Sequence, residues 1–204
     1  MKKFAFFDFD GTLTRTDTVL PFLKYACANR ADYYAKLLRQ SPVLLAYLLG
    51  CASNLRAKEA VFTEFLAGQK WDAVQNVAHD FARFRLPELL LPAGMQVLRE
   101  HQARGDFCVL VSASPEIYLH EWGRINGLDA VLGTRLQVVA GCLTGRVDGE
   151  NCHDWGKVRR IEAQFGTNCW ANSVAYSDSA VDLPMLQQAA QGFLGKKGQF
   201  VRVQ

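Results

Sequence analysis

The chain has 204 residues, half of them apolar and 21% charged, the balance of a globular protein with one ordinary domain or a core carrying a smaller insertion. A formal net charge of +3, with Lys196-Lys197 an isolated basic pair, excludes a nucleic-acid binder that works through a basic stripe. Six cysteines (Cys27, Cys51, Cys108, Cys142, Cys152 and Cys169) form no Cys-x-x-Cys pair. Only four apolar residues separate Lys3 from Asp8, too few for a signal core, so a reduced, cytoplasmic chain is expected.

In chain order, residues 3–8 predict a short buried strand, stopped by Asp-Gly. Residues 18–85 read as wholly helical, broken into about four pieces at Pro21, Pro42 and Ala67-Gly68. Leu55, Ala60, Val61, Phe65 and Leu66 share one side of a helix, as do Val74, Val77, Ala78 and Phe81. Residues 43–52, VLLAYLLGCA, are too few to span a bilayer and predict a buried helix, with contact to a lipid surface as the alternative. After Pro87 come a helix over 93–104, a buried strand over 107–111, a helix over 115–126 and a short strand over 129–132. A hairpin follows over 136–147, then a helix over 157–165, a strand over 173–176, a helix over 180–190 and a last strand over 192–194. Strands alternating with helices imply an α/β fold with a parallel sheet. Ligands of such sheets sit beyond the carboxyl ends of the strands, which here carry 8–12, 112–114 and 177–182.

Asp8 and Asp10 lie two apart, so extended backbone points both to one side and Phe9 to the other. Converging carboxylates need a cation or a shared proton, and a hard divalent cation supplies the first. The alternative is an ordinary Asp-Gly turn. Asp178 and Asp182, one helical turn apart, form a second acidic pair, or else cap a helix. Ser112 follows an apolar strand, where a hydroxyl and free amides hold phosphoryl oxygens, whereas Ser114 reads as a cap for the next helix. Lys157 opens a helix and either neutralises phosphate or is solvated; Cys152-His153 reads as loop.

The set DFDGTLT, VSAS, GKV and YSDSAVDLPML, in this order, resembles the haloacid dehalogenase superfamily, in particular its phosphoserine phosphatase-like branch (subfamily IB). The resemblance implies a Rossmann-like parallel sheet of order 3-2-1-4-5 flanked by helices. It also implies a core domain of residues 1–14 and 86–204 with a helical cap domain, 15–85, inserted after the first strand. It implies a magnesium-dependent phosphatase. Asp8 is then the nucleophile and Asp10 the general acid and base. Ser112, Ala113 and Lys157 hold phosphate. Asp8, the Asp10 carbonyl and Asp178 bind Mg2+, and Asp182 supports from outside.

That branch has DST where this chain has DGT, and Ser-Gly-Gly where it has Ser112-Ala113-Ser114. The resemblance places Asp17 and Arg56 as the cap pair that selects substrate. The expected partner is a small phosphorylated substrate, phosphoserine-like, with no nucleic acid. The apolar cap stretch and the aromatic Phe22 and Tyr25 also resemble a bacterial group that includes phosphatidylglycerophosphate phosphatase. A lipid-headgroup phosphate at the inner face of a bacterial membrane is therefore the alternative. A non-catalytic phosphate- or lipid-binding module would need neither Asp8 nor Asp10, and both are present.

Overall fold

The computed structural model describes residues 3–196 and 199–203, so Lys197, half of the basic pair, lies outside the described residues. The first strand, β1 (Phe4–Phe7), is apolar throughout and sits inside the sheet. The helices α1 (Val19–Ala26), α2 (Arg30–Leu48), α3 (Asn54–Leu66) and α4 (Trp71–Asp80) follow, then a π-helical turn (Phe81–Arg85) and α5 (Leu86–Leu89). The rest of the chain is α6 (Pro92–Ala103), β2 (Phe107–Pro115), α7 (Glu116–Ile125), β3 (Ala130–Thr134), the hairpin β4 (Leu136–Val139) and β5 (Cys142–Val147), α8 (Trp155–Phe165), β6 (Ser173–Ser177), α9 (Leu183–Gln188), β7 (Gln191–Lys196) and β8 (Gln199–Arg202).

The main sheet runs β3-β2-β1-β6-β7-β8. Its first five strands are parallel, and counted alone they give the expected order 3-2-1-4-5. The edge strand β8, antiparallel to β7, was not expected. Side chains alternate across β1. Ala5 and Phe7 enter one buried cluster, and Phe6 enters the other, against Trp170. With β2 and β6 on its two sides, β1 delivers Asp8 to the middle of the sheet's carboxyl edge.

Four local expectations need correction. Pro42 does not break a helix; it lies inside α2. It removes the amide that would bond the Leu38 carbonyl, and the Ser41 hydroxyl donates to that carbonyl instead, at 2.7 Å. Residues 43–52 are not buried, because no described residue covers their outer face, and Leu45, Leu48 and Leu49 are exposed. Among the described residues no helix is long and apolar enough to cross a membrane. On α3 the buried stripe is Ala57, Val61, Phe62, Phe65 and Leu66, while Leu55 is exposed. The strand expected to stop at Val111 continues to Pro115, with its pairing register shifted between the two.

The hairpin packs on α3. The Gly68 amide donates to Leu143 O at 2.8 Å, Leu143 N–H to Gln69 O at 2.9 Å and Trp71 N–H to Gly141 O at 2.9 Å. Gly145 (φ +81°) makes the approach: a Cβ there would lie 2.3 Å from the Thr63 Cα.

Candidate active site

The turn after β1 winds around one carbonyl. The amides of Thr12, Leu13 and Thr14 all donate to Phe9 O, at 3.2, 2.8 and 3.0 Å. Gly11 adopts φ +80°, and the Asp178 carboxylate lies where its Cβ would be, 2.1 Å from Oδ2. A side chain at position 11 would therefore expel Asp178. Phe9 faces inward and packs edge-on against Trp122.

Asp8, Asp10, Ser112, Ala113, Lys157, Asp178 and Asp182 all line one cavity of about 240 Å³. Lys157 is buried between two carboxylates: its Nζ lies 2.5 Å from Asp8 Oδ1 and 2.6 Å from Asp182 Oδ2. The Ser177 hydroxyl donates to the same Asp182 oxygen at 2.6 Å. Thr12 Oγ1 accepts the Asp178 amide at 2.9 Å and stands 3.2 Å from Asp8 Oδ2 and 3.4 Å from Asp178 Oδ1. Asp178 and Asp182 do converge, but not as one helical face: Asp178 precedes the short 3₁₀ turn that ends at Asp182.

Asp10 is held on both oxygens. Thr18 donates to Oδ1 from its amide at 2.8 Å and its hydroxyl at 2.6 Å, and Ser114 Oγ donates to Oδ2 at 2.5 Å. Ser114 is thus not a helix cap; the register shift at the end of β2 turns its hydroxyl to Asp10. The Ser112 hydroxyl accepts the Ser114 amide at 3.0 Å.

Burial, opposed by Lys157, pushes Asp8 up to about 7. Burial, reinforced by the Asp17 charge and opposed by Ser114 and Thr18, pushes Asp10 up to about 6. Asp178 is raised, again first by burial. Lys157 is raised because Asp8 and Asp182 outweigh the burial that would lower it. The cavity therefore lacks the positive charge to keep all its carboxylates ionised near neutral pH. Among the described residues no three His, Cys, Asp or Glu side chains form a ready cage for a metal. The oxygens of Asp8 and Asp178, drawn together at Thr12 beside the Gly11 cradle, are nonetheless the hard donors that a magnesium ion takes alongside backbone carbonyls and water.

Of the expected cap pair, Asp17 lines the cavity, and its Oδ1 accepts the Val19 amide at 2.9 Å. Arg56 does not: it is exposed and does not line the cavity, because α3 turns it toward solvent. Lys58 takes the inward place. Its Nζ donates to Ala113 O at 2.6 Å and to Asn151 Oδ1 at 3.1 Å, and burial lowers it to about 8. Asn54, one turn earlier, also lines the cavity and accepts from Asn151 Nδ2 at 2.9 Å. His153, read as loop, lines the cavity too, whereas Cys152 is buried. The i, i+4 pair of Asn54 and Lys58 beside buried Ala57 was the one available signal for this face.

Residues 5–187 match the family of haloacid dehalogenase-like hydrolases. The protein CicA of Caulobacter vibrioides is 37% identical over 147 residues, which are 72% of this chain and 65% of CicA. Among solved structures, a Bordetella pertussis Tohama I protein of unknown function superposes with a TM-score of 0.80 at 25% identity, covering 92% of this chain and 86% of that one. A phosphoserine phosphatase holding an analogue of its phospho-aspartyl intermediate shares the fold, with a TM-score of 0.62 at 21% identity over 92% and 83% of the two chains. With nearly the whole α/β framework inside the matched span, this chain belongs to the haloacid dehalogenase-like hydrolases.

Proposed function

We propose that the protein is a magnesium-dependent phosphomonoester hydrolase that works through an aspartyl-phosphate on Asp8. The observation that carries the reading is Lys157, buried between Asp8 and Asp182 on the floor of a cavity that also holds Ser112 and Asp10. A carboxylate is a weak nucleophile, but it attacks phosphorus when held in line and when the phosphate charge is neutralised. Lys157 supplies part of that charge, and the Ser112 hydroxyl with the Ala113 amide receives phosphoryl oxygens. Asp8, Asp178 and the Asp10 carbonyl would hold magnesium, which when bound supplies the remaining neutralisation.

Asp10 carries the proton. Its carboxyl, lifted to about 6, donates to the leaving oxygen and then takes a proton from the water that cleaves the aspartyl-phosphate. Thr18 and Ser114 fix its orientation for both steps. On this reading residues 1–14 and 86–204 would carry the chemistry, and residues 15–85 would cover it and contribute Asp17, Asn54 and Lys58. With Arg56 turned away, the cavity lacks the arginine expected to hold a phosphoserine carboxylate.

The test is release of phosphate from an aryl phosphate with and without Mg2+. Activity should require the metal and fall by at least about three orders of magnitude in Asp8→Asn. Undiminished turnover in that variant would sink the mechanism.

A further inference from the structure

The polar cavity is open on one side. Asp17, Val19, Asn54 and Lys58 also line a second, larger groove of about 370 Å³. Beyond those four, its walls are Leu20, Leu44, Tyr47, Leu48, Ala57 and Val61, without a charge among them. Leu20, Leu44 and Leu48 in turn border a shallow trough on the outer face of α2, together with Leu38 and Leu45. There the leucines stand in solvent: Leu38 is 73% exposed, Leu45 57% and Leu48 78%, and Leu49 beside them is 69% exposed. No charged residue occurs from Gln40 to Leu55. The three spaces make one path, which runs from carboxylates and lysines to bare hydrocarbon.

The geometry points to a ligand that is ionic at one end only: a phosphate monoester on a long apolar chain. Its phosphate occupies the Asp8 cavity, and its chain lies along the groove between α2 and α3. This names a substrate class for the phosphatase reading and rests on it. A small polar metabolite would fill the cavity and leave the larger, apolar space wet. An apolar chain in that space removes water from its own surface and from the leucines, and each fully buried methylene is worth about fourfold in binding. An apolar face left open over half a helix marks a contact surface. A chain seated in the groove emerges onto it. Two sources present the same chemistry: a soluble amphiphile, or a lipid in a bilayer on which the α2 face rests.

The experiment is kcat/KM for a series of n-alkyl phosphates, each below its critical micelle concentration. The value should rise about two- to fourfold per methylene until the groove is full, and Leu44→Gln should flatten the slope. A flat or falling series overturns the proposal. Hydrolysis of ethyl phosphate and its sensitivity to Asp8→Asn report on the reaction separately. If no member is hydrolysed, the phosphatase reading fails, and the dissociation constants of the same series decide: a chain-length slope sustains the groove, and its absence overturns it.

A second arm uses phosphatidylcholine vesicles containing phosphatidic acid. A chain-length slope with flotation and phosphate release supports the bilayer source, and a slope without flotation supports the soluble amphiphile. Self-association relieved by Leu48→Gln, with no slope, would make the face a contact between copies and overturn the assignment.

Discussion

Lys157→Met removes the one cation between two buried acids, and the structure sets the size of the effect. Its Nζ lies 2.5 Å from Asp8 and 2.6 Å from Asp182, with the side chain 2% exposed. At an effective dielectric of about 20, each contact attracts by about 6 kcal/mol, against a desolvation cost of several kcal/mol per ion. Taking away only the cation leaves uncompensated charge, and the expected loss of stability is about 3–5 kcal/mol near neutral pH. Asp8 relieves part of it by binding a proton. Its folded pKa, already pushed up to about 7 with Lys157 present, rises further without the cation, so near and above neutral pH the folded variant holds more protons than the folded parent. The deficit relative to the parent therefore grows as pH rises above about 7 and levels off as pH falls below it. Urea unfolding followed by tryptophan fluorescence, with a chelator present, measures it at both ends. Adding Asp182→Asn should recover part of the loss, since one buried charge disappears. A deficit below about 1 kcal/mol near neutral pH, or one that grows toward acid, would refute the argument.

Three further outcomes are expected. Lys58→Ala should lower kcat/KM for an aryl phosphate by about ten- to a hundredfold and Arg56→Ala by less than about twofold, because only Lys58 lines the cavity. Gly145→Ala should lower stability in urea by at least about 2 kcal/mol, since the new methyl meets Thr63 backbone at a positive φ. His101 is buried, its Nδ1 donates to Asp106 at 2.7 Å, and its Nε2 accepts from the Tyr176 hydroxyl at 2.9 Å; burial lowers it, opposed by Asp106 and reinforced by the nearby Arg104 and Lys3 charges. The unfolded state then takes up its proton first, so stability falls as pH drops below about 6.5, and His101→Gln should remove that slope in pH-dependent unfolding.

The strand ends were legible because each breaks an apolar run with carboxylates or hydroxyls, a contrast that needs no tertiary information. Asp8, Ser112 and Asp178 were found that way. Lys58 was not, because a choice between it and Arg56 is a choice of helix phase. Two residues are about 200° of turn, and only the packed partner of α3 fixes which side looks inward. Ser114 escaped because its role depends on the shifted register at the end of β2, which local sequence does not announce. Thr18, eight residues from the carboxylate it orients, carries no signal until α1 is docked. The α2 leucines show the converse failure. An apolar run reports a demand for cover, and the fold answers it on one side only.

The hairpin on α3 changes how the helical segment can travel. A lid joined only at residues 14–18 and 85–91 would swing on two cords. This one has a third attachment, through Leu143, Gly141 and the Val147 amide that donates to Glu59 Oε1 at 3.0 Å. Lifting α3 either strips those bonds or drags β4 and β5 along. The dragged ribbon ends at Thr134 on one side. On the other it enters the stretch through Asn151 and Asp154, whose φ of +53° already departs from the usual range, and so reaches Lys157. Lifting the helical segment would thus also pull on the loop before α8, the helix that carries Lys157, so its movement and the placement of that ammonium are geared together.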